Sequence, residues 1–232
     1  MNKKAWTEKF MQGVFFIAAC ASVLAVALIC IFLFANGIPA MKEIGFGEFL
    51  SGEMWKPKNE IFGILPMIVG SLYVTAGAII FGVPIGILTA VFMAYYCPKK
   101  IYKPLKAATE LLAGIPSVVY GFFGLVVIVP LIRTLGRDLG FGGNGSSILT
   151  ASLLLGMMIL PTIIGLTESS IRAVPEQYYE GAVALGATHE RAIFRVVIPA
   201  AKSGVIAAIV LGIGRAIGET MAVIMVAGNQ AR

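Results

Sequence analysis

The sequence predicts an all-α, polytopic transmembrane helical bundle, and composition and hydropathy are the main reasons. Of the 232 residues, 58% are hydrophobic and 13% are charged, whereas a soluble domain has about 25% charged residues. The mean hydropathy is +0.90. So few charged side chains cannot cover a water-facing surface, which excludes a soluble enzyme, a disordered chain and a nucleic-acid-binding module. The net charge of +6 is therefore interpreted as a signal for orientation in a membrane.

Five apolar stretches are long enough to cross a membrane as helices, which takes about 20 residues each. The first is too long for a secretory signal and has no clear cleavage site, so it is interpreted as an anchor. The second would be about 54 Å long as one helix, so its span is expected to begin at Pro66. Pro84 is expected to kink the second span, and Pro116 and Pro130 to interrupt the third. In chain order, the predicted spans lie within residues 10–34, 61–96, 111–132, 148–166 and 204–227.

The segments between these spans alternate between basic ones and ones with little net charge. The first nine residues contain three lysines, and residues 97–106 contain four lysines and no acid. Because cytoplasmic loops carry the excess of Lys and Arg, the N-terminus is predicted to be cytoplasmic. Residues 1–60 are then the N-terminal tail, the first transmembrane helix and a periplasmic loop, and residues 61–232 form the core.

The segment between the fourth and fifth spans is predicted to form a helix–turn–helix elbow on the cytoplasmic face. Pro175 suits the first position of a helix, and Gly186 suits the left-handed position that ends it. Thr188 is expected to cap a second short helix, which Pro199 ends. Residues 168–202 contain four acidic and four basic side chains. This balance is unlike a lipid-binding basic patch and is better suited to docking another protein.

This elbow resembles the EAA loop of the inner-membrane permeases of ABC transporters. In that family the loop forms coupling helices that fit a groove on the ATPase subunit. The match keeps the spacing of the family and departs from its preferred Ala and Leu at two positions, Gly181 and Ile198. The residues that carry the resemblance are Glu180, Gly181, Ala182, Gly186, Ile198 and Pro199. The resemblance implies the fold of a type I ABC importer permease, with coupling helices at about residues 174–199.

Two stretches within the spans are similar to the permeases of phosphate-specific (Pst) transporters. They read IPSVVYG at residues 115–121 and GRAIGETMA at residues 214–222, and the second is most similar to the PstC type of subunit. The resemblance implies a bacterial or archaeal cytoplasmic membrane and no cofactor. The implied partners are a second homologous permease subunit, cytoplasmic ATPase subunits and a periplasmic or lipid-anchored phosphate-binding protein. The family has six spans, so the last one is expected to be missing here.

Arg215 and Glu219 are the candidate residues of the translocation pathway. Arg215 lies about 11 residues into the fifth span, near the bilayer centre, where an arginine costs about 2.5–3.5 kcal/mol on insertion scales. It must face the protein interior, a partner or water. Glu219, four residues on, is expected on the same helix face. The pair is either a neutralised structural contact or, as the resemblance favours, a cationic station for a permeating oxyanion that Glu219 tunes or gates.

No catalytic, nucleotide-binding or metal site is predicted. The P-loop pattern is absent, so ATP hydrolysis is expected in a partner and the chain is not expected to be an enzyme. His189 has no cluster of metal-ligating residues around it and is expected to be an exposed elbow residue. Glu168 and Arg172 are expected to form an interfacial salt bridge.

The predicted function is that of a permease subunit of an ATP-driven phosphate importer. One alternative is an ABC permease for another oxyanion or small solute. A second alternative is an ATP-independent anion channel or transporter, which would explain Arg215 but not the spacing of the elbow motif.

Overall fold

The computed structural model describes residues 3–140 and 143–228, most of which are helical. The chain divides at Pro66 into two compact units, and each is described by itself. The domain boundary predicted after residue 60 stays a prediction.

Helix α1, Lys3–Ile44, makes up most of the first unit. Its most apolar window has a mean hydropathy of 2.9, and none of that window is buried. A helix of 42 residues is about 63 Å long, whereas the hydrocarbon core of a bilayer is about 30 Å thick. The predicted first span, residues 10–34, therefore lies inside a helix that continues beyond it at both ends.

A short helix and a two-stranded hairpin follow α1. These elements are α2 (Phe46–Ser51), β1 (Trp55–Lys56), a 3-10 turn (Pro57–Asn59) and β2 (Ile61–Phe62). The strands are antiparallel, with Trp55 opposite Phe62. The rings of these two residues pack edge to face with their centroids 5.6 Å apart, which fixes the register of the hairpin.

From Leu65 onward, the described residues form helices and no strands. The helices are α3 (Leu65–Tyr96), α4 (Lys99–Gly114), α5 (Ser117–Asp138), α6 (Ile148–Arg172), α7 (Glu176–Ala184), α8 (His189–Ala200), α9 (Lys202–Gly218) and α10 (Met221–Val226). By length and composition, α1, α3, α5 and α6 can each cross a membrane, and α8 with α9 forms a fifth candidate, bent by 70°. The first four candidates correspond to the first four predicted spans. The fifth predicted span, residues 204–227, falls on α9 and α10, whereas the fifth candidate joins α9 to α8, which was predicted as part of the elbow.

The third span begins later than predicted. Residues 111–114, expected to open it, belong to the end of α4. Pro116 lacks an N–H group and pushes the residue before it out of helical conformation, and Ile115 is accordingly extended with φ −69° and ψ 126°. The hydroxyl of Tyr120 donates a hydrogen bond across this break to the carbonyl of Leu112, at 2.9 Å.

The fifth span is broken where a continuous helix was predicted. Helix α9 ends at Gly218, the backbone of Glu219 is extended with ψ 123°, and α10 begins at Met221. The second elbow helix ends at Ala200, one residue after Pro199, where its end was predicted. Pro199 lies in the last turn of α8. A π turn ends at Val197 and a new α-helical turn begins at Ile198, and proline is tolerated in the first turn of an α-helix.

Helix α6 lies at the centre of the second unit. In its most apolar window 61% of the residues are buried, against 33% for α3 and 28% for α5. Its residues Ile159 and Ile163 are fully buried and pack against Gly82 and Gly86 of α3. Because lipid chains are as apolar as these side chains, close packing over small residues is what holds such helices together.

Replacing Gly82 by leucine is expected to lower the thermal midpoint of the detergent-solubilised protein by several degrees. A Cβ atom at Gly82 would lie 2.9 Å from the Ile159 side chain and 3.0 Å from the carbonyl oxygen of Gly156, and overpacking costs about 1–3 kcal/mol. The matched control on the same helix is Gly70→Leu, because nothing lies within 4 Å of a Cβ at Gly70. Equal midpoints for the two variants would contradict this account of the packing.

Candidate functional site

Arg215 lies on α9 and contacts α6. Its Nη1 donates a hydrogen bond to the hydroxyl of Thr162 at 3.1 Å, and the residue is partly buried. It is 13 residues past the start of α9, about 20 Å along the helix axis. The role of Arg215 in translocation stays a prediction.

Glu219, predicted on the same helix face as Arg215, lies directly after the last residue of α9. Because α9 ends at Gly218, the Glu219 carboxylate turns to the next helix, where its Oε1 accepts a hydrogen bond from the backbone N–H of Ala222 at 3.1 Å. Both salt bridges in the described part of the chain are made by Glu168, so Arg215 and Glu219 are not an ion pair. The physical reason is local, because a carboxylate is favoured at the start of a helix, where backbone N–H groups lack partners within the helix.

The surroundings of Arg215 have the chemistry of an anion-binding position. A guanidinium has five N–H donors, and the structure describes one of them in a hydrogen bond, to Thr162. The others can hold an oxyanion through two parallel hydrogen bonds. Because Glu219 caps α10, it does not occupy these donors.

The elbow consists of α7 and α8, which are joined by a tight turn at Gly186. This residue has φ +86°, a left-handed conformation that glycine adopts without steric cost. The N–H groups of Gly186 and Ala187 donate to the carbonyls of Val183 and Ala182, at 2.9 and 3.1 Å, as at many helix C-termini. The predicted left-handed helix stop is confirmed.

The second predicted cap of the elbow is also confirmed. The hydroxyl of Thr188 accepts a hydrogen bond from the backbone N–H of Arg191 at 3.4 Å, in the first turn of α8. Pro175 differs from its prediction by one position, because it precedes α7 and the helix begins at Glu176.

The motif residues of the elbow divide between its outer surface and its underside. Glu180, Gly181, Gly186 and Pro199 are exposed, whereas Ala182 and Ile198 are partly buried. Ile198 packs on a buried apolar cluster that includes Val91 of α3 and Ile171 of α6. On the outer surface, Leu185 is 92% exposed. The elbow is thus anchored on one side and open on the other.

Four rings fasten the elbow to the C-terminal end of α3. The hydroxyl of Tyr179 and Nδ1 of His189 are 2.8 Å apart and hydrogen-bonded. The His189 ring packs edge to face on Tyr96 at 5.1 Å, and Tyr95 lies 5.9 Å from Tyr179. The prediction that His189 is exposed is therefore wrong. Its partners on α3 are far away in sequence, so no local pattern revealed the contact.

The predicted salt bridge between Glu168 and Arg172 is confirmed, with 2.7 Å between Oε1 and Nε. Glu168 is, however, only 1% exposed, so the bridge is not an open interfacial one. The hydroxyl of Tyr102 donates to Oε1 at 2.6 Å, and Nζ of Lys106 lies 3.4 Å from Oε2. The hydrogen bond with Tyr102 is the largest cause that raises the pKa of Lys106.

Sequence reasoning missed both α4 residues of this cluster. Tyr102 and Lys106 are one helical turn apart, which places them on one face of α4. That spacing was the available signal, but it does not identify the helix that this face contacts.

Residues 82–231 match the family described as binding-protein-dependent transport system inner membrane component. The chain belongs to this family. It is 37% identical to the phosphate transport system permease protein PstC of Mesorhizobium japonicum, over all of this chain and 75% of that protein. It is 40% identical to the probable ABC transporter permease protein YqgH of Bacillus subtilis, over 94% of this chain and 72% of that one. It is 34% identical to the phosphate transport system permease protein PstC of Haemophilus influenzae, over 97% of this chain and 76% of that protein.

The fold is that of a type I ABC importer permease. It is similar to a chain of the MetNI methionine ABC transporter in an inward-facing conformation, with a TM-score of 0.55 and 22% identity over 71% of this chain and 74% of that chain. The predicted all-α permease fold is confirmed, and this family member is a multi-pass membrane protein.

Glu219→Ala is expected to destabilise the protein by about 0.5–2 kcal/mol, the usual cost of losing a capping side chain. Glu219→Gln is expected to lose much less stability, because the amide oxygen can still accept a hydrogen bond from the N–H of Ala222. Thermal unfolding of the purified variants measures both effects. Equal destabilisation by the two substitutions would show that the charge, rather than the cap, is what matters.

Proposed function

We propose that this chain is a permease subunit of an ATP-driven ABC importer and forms the transmembrane pathway for inorganic phosphate. The observation that carries the proposal is similarity along the entire chain to a relative named as a phosphate transport permease, at 37% identity. The geometry supports it with two parts that such a subunit needs. One is a partly buried arginine inside a span, and the other is an ordered elbow with an open outer surface.

In this proposal Arg215 is the cationic station of the pathway. Its guanidinium is held by Thr162 and offers its other donors to the phosphate oxygens. Glu219 has the supporting role of holding the break between α9 and α10 through its contact with Ala222. Its negative charge also weakens the attraction of the site for an anion, which favours release after binding.

The elbow couples this pathway to a separate ATPase subunit. The residues assigned to coupling are Glu180, Gly181, Ala182, Gly186, Ile198 and Pro199. Those on α7 and its turn form the outer surface that contacts the ATPase. Ile198 and Pro199 lie just before the 70° bend that leads into α9, so a push on the elbow is passed to the helix that carries Arg215.

The remaining subunits complete the transporter. ATP is hydrolysed by cytoplasmic ATPase subunits, a second homologous permease subunit forms the other half of the pathway, and a periplasmic or lipid-anchored protein delivers phosphate. The N-terminus is cytoplasmic, which places the elbow on the ATPase side of a bacterial or archaeal cytoplasmic membrane.

A permease for another oxyanion or small solute of the same superfamily is the second candidate. The observation in its favour is that a relative with 40% identity is named as an ABC permease without a substrate. Competition of sulfate, arsenate and phosphate in one uptake assay separates the two candidates.

Arg215→Gln is expected to lower phosphate uptake into proteoliposomes at least tenfold while the complex still assembles, because a hydrogen bond to a charged group contributes about 1.5–3 kcal/mol. The assay uses the full transporter with its ATPase, partner permease and binding protein. Arg137→Gln, an exposed arginine at the end of α5, is the matched control. Unchanged uptake by Arg215→Gln would make the contact with Thr162 purely structural.

Gly186→Val is expected to separate ATP hydrolysis from phosphate uptake. Valine is strained by about 1–2 kcal/mol in a left-handed conformation, so the turn between α7 and α8 must change shape. Gly186→Asn is the control, because asparagine tolerates this conformation. The measurement is the ratio of phosphate transported to ATP hydrolysed, and a normal ratio in the valine variant would refute the coupling role of the elbow.

A further inference from the structure

Glu168 is the one charged side chain that is buried within the described part of the chain, at 1% exposure. It lies on the last two turns of α6. A buried charge is costly unless other groups pair with it and donate hydrogen bonds to it. The partners of Glu168 therefore identify the helices that this buried carboxylate connects.

These partners come from two helices. Tyr102 and Lys106 of α4 contact its two carboxylate oxygens, at 2.6 and 3.4 Å. Arg172, at the end of α6, donates from Nε at 2.7 Å. The Arg172 guanidinium also lies 4.7 Å from the centre of the Tyr102 ring, so it contacts both the Glu168 carboxylate and the Tyr102 ring.

Arg172 extends the cluster to the end of α3. Its Nη2 donates to the carbonyl oxygen of Met93 at 2.8 Å. The last turn of α3 is a π turn, closed by the bond from Cys97 N–H to the carbonyl of Phe92. Carbonyl groups at a helix C-terminus lack partners within their own helix, and the guanidinium supplies one. The same turn of α3 carries Tyr95 and Tyr96, which hold the elbow.

We propose that Glu168 is a positioning residue for transport, which joins the ends of α3, α4 and α6 to the elbow as one rigid block. This inference rests on the proposed function, because it takes the elbow as the part that the ATPase moves. A displacement of the elbow then moves α4 as well. Since α4 meets α5 at the break around Ile115 and Pro116, the third span moves with the elbow.

Short ionic hydrogen bonds suit this task better than apolar contacts do. They are directional and stronger than bonds between neutral groups, whereas apolar contacts between helices gain no hydrophobic driving force in a membrane, because lipid chains are equally apolar. A neutral cluster of the same shape would keep the fold, but α4 would no longer move together with the elbow.

The test compares Glu168→Gln with the matched control Glu110→Gln, an exposed acid on α4. Both are made in the assembled transporter in proteoliposomes. Glu168→Gln is expected to keep ATP hydrolysis and to lower the phosphate transported per ATP by about tenfold, within the range of about 5–150-fold that is typical of coupling between sites. A ratio equal to that of the control would overturn the proposal.

A distance measurement separates rigid coupling from a purely structural role. Spin labels are placed at the exposed positions Lys103 of α4 and Gln177 of α7. The cysteines at positions 20, 30 and 97 are changed to serine. The distance in the parent protein is expected to be the same in the nucleotide-free and vanadate-trapped states, and to change between them in Glu168→Gln. A constant distance in the variant would overturn the proposal.

Two further outcomes are informative. If Glu168→Gln does not assemble, Tyr102→Phe takes its place under the same criteria, because it removes only the hydroxyl that binds Glu168. If the parent complex transports a different solute, the proposed substrate is wrong. The coupling ratio and the label distances are then measured with that solute and still decide the role of Glu168.

Discussion

The packing of α6 is the constraint on which the rest of the structure depends. Most of this helix is buried, and it makes different contacts at three positions along its length. Ile159 and Ile163 pack against the glycines of α3, Thr162 holds Arg215, and Glu168 holds α4. A shift of α6 by even part of a turn would therefore change the helix packing, the arginine position and the ionic cluster together.

The second general feature is that side chains bind backbone groups at two of the helix breaks. A backbone group without a partner costs several kcal/mol in hydrocarbon, roughly as much as a lost hydrogen bond in an apolar medium. At the break before α5, the hydroxyl of Tyr120 binds the carbonyl of Leu112. At the break after α9, the carboxylate of Glu219 binds the N–H of Ala222. Side chains thus stabilise the breaks, and the second break follows directly after the turn of α9 that carries Arg215.

The elbow combines a fixed underside with an open outer surface. Ring contacts of His189 and Tyr179 with the end of α3 and the burial of Val197 and Ile193 hold it in place. The outer surface keeps Leu185 almost fully exposed. An element that is firmly held on one side and exposed on the other can receive a push from a partner and pass it to the spans below.

The sequence by itself determined the class of protein, the first four candidate spans and the capping of the elbow. These features depend on composition and on residues within a few positions of each other, such as Gly186 and Thr188. It also identified the pair Glu168 and Arg172, because their spacing of four residues is a local property of a helix. The resemblance to phosphate permeases likewise rested on short stretches that can be read without coordinates.

Only the tertiary structure determined which residues from distant segments of the chain contact each other. It showed that Tyr102 and Lys106 complete the Glu168 cluster, that His189 is enclosed by rings from α3, and that Arg215 binds Thr162. It also showed that the Glu219 carboxylate binds the N–H of Ala222 and forms no salt bridge with Arg215. Such contacts depend on how helices far apart in sequence cross in space, and a helical period specifies which face a residue occupies but not which neighbour that face meets.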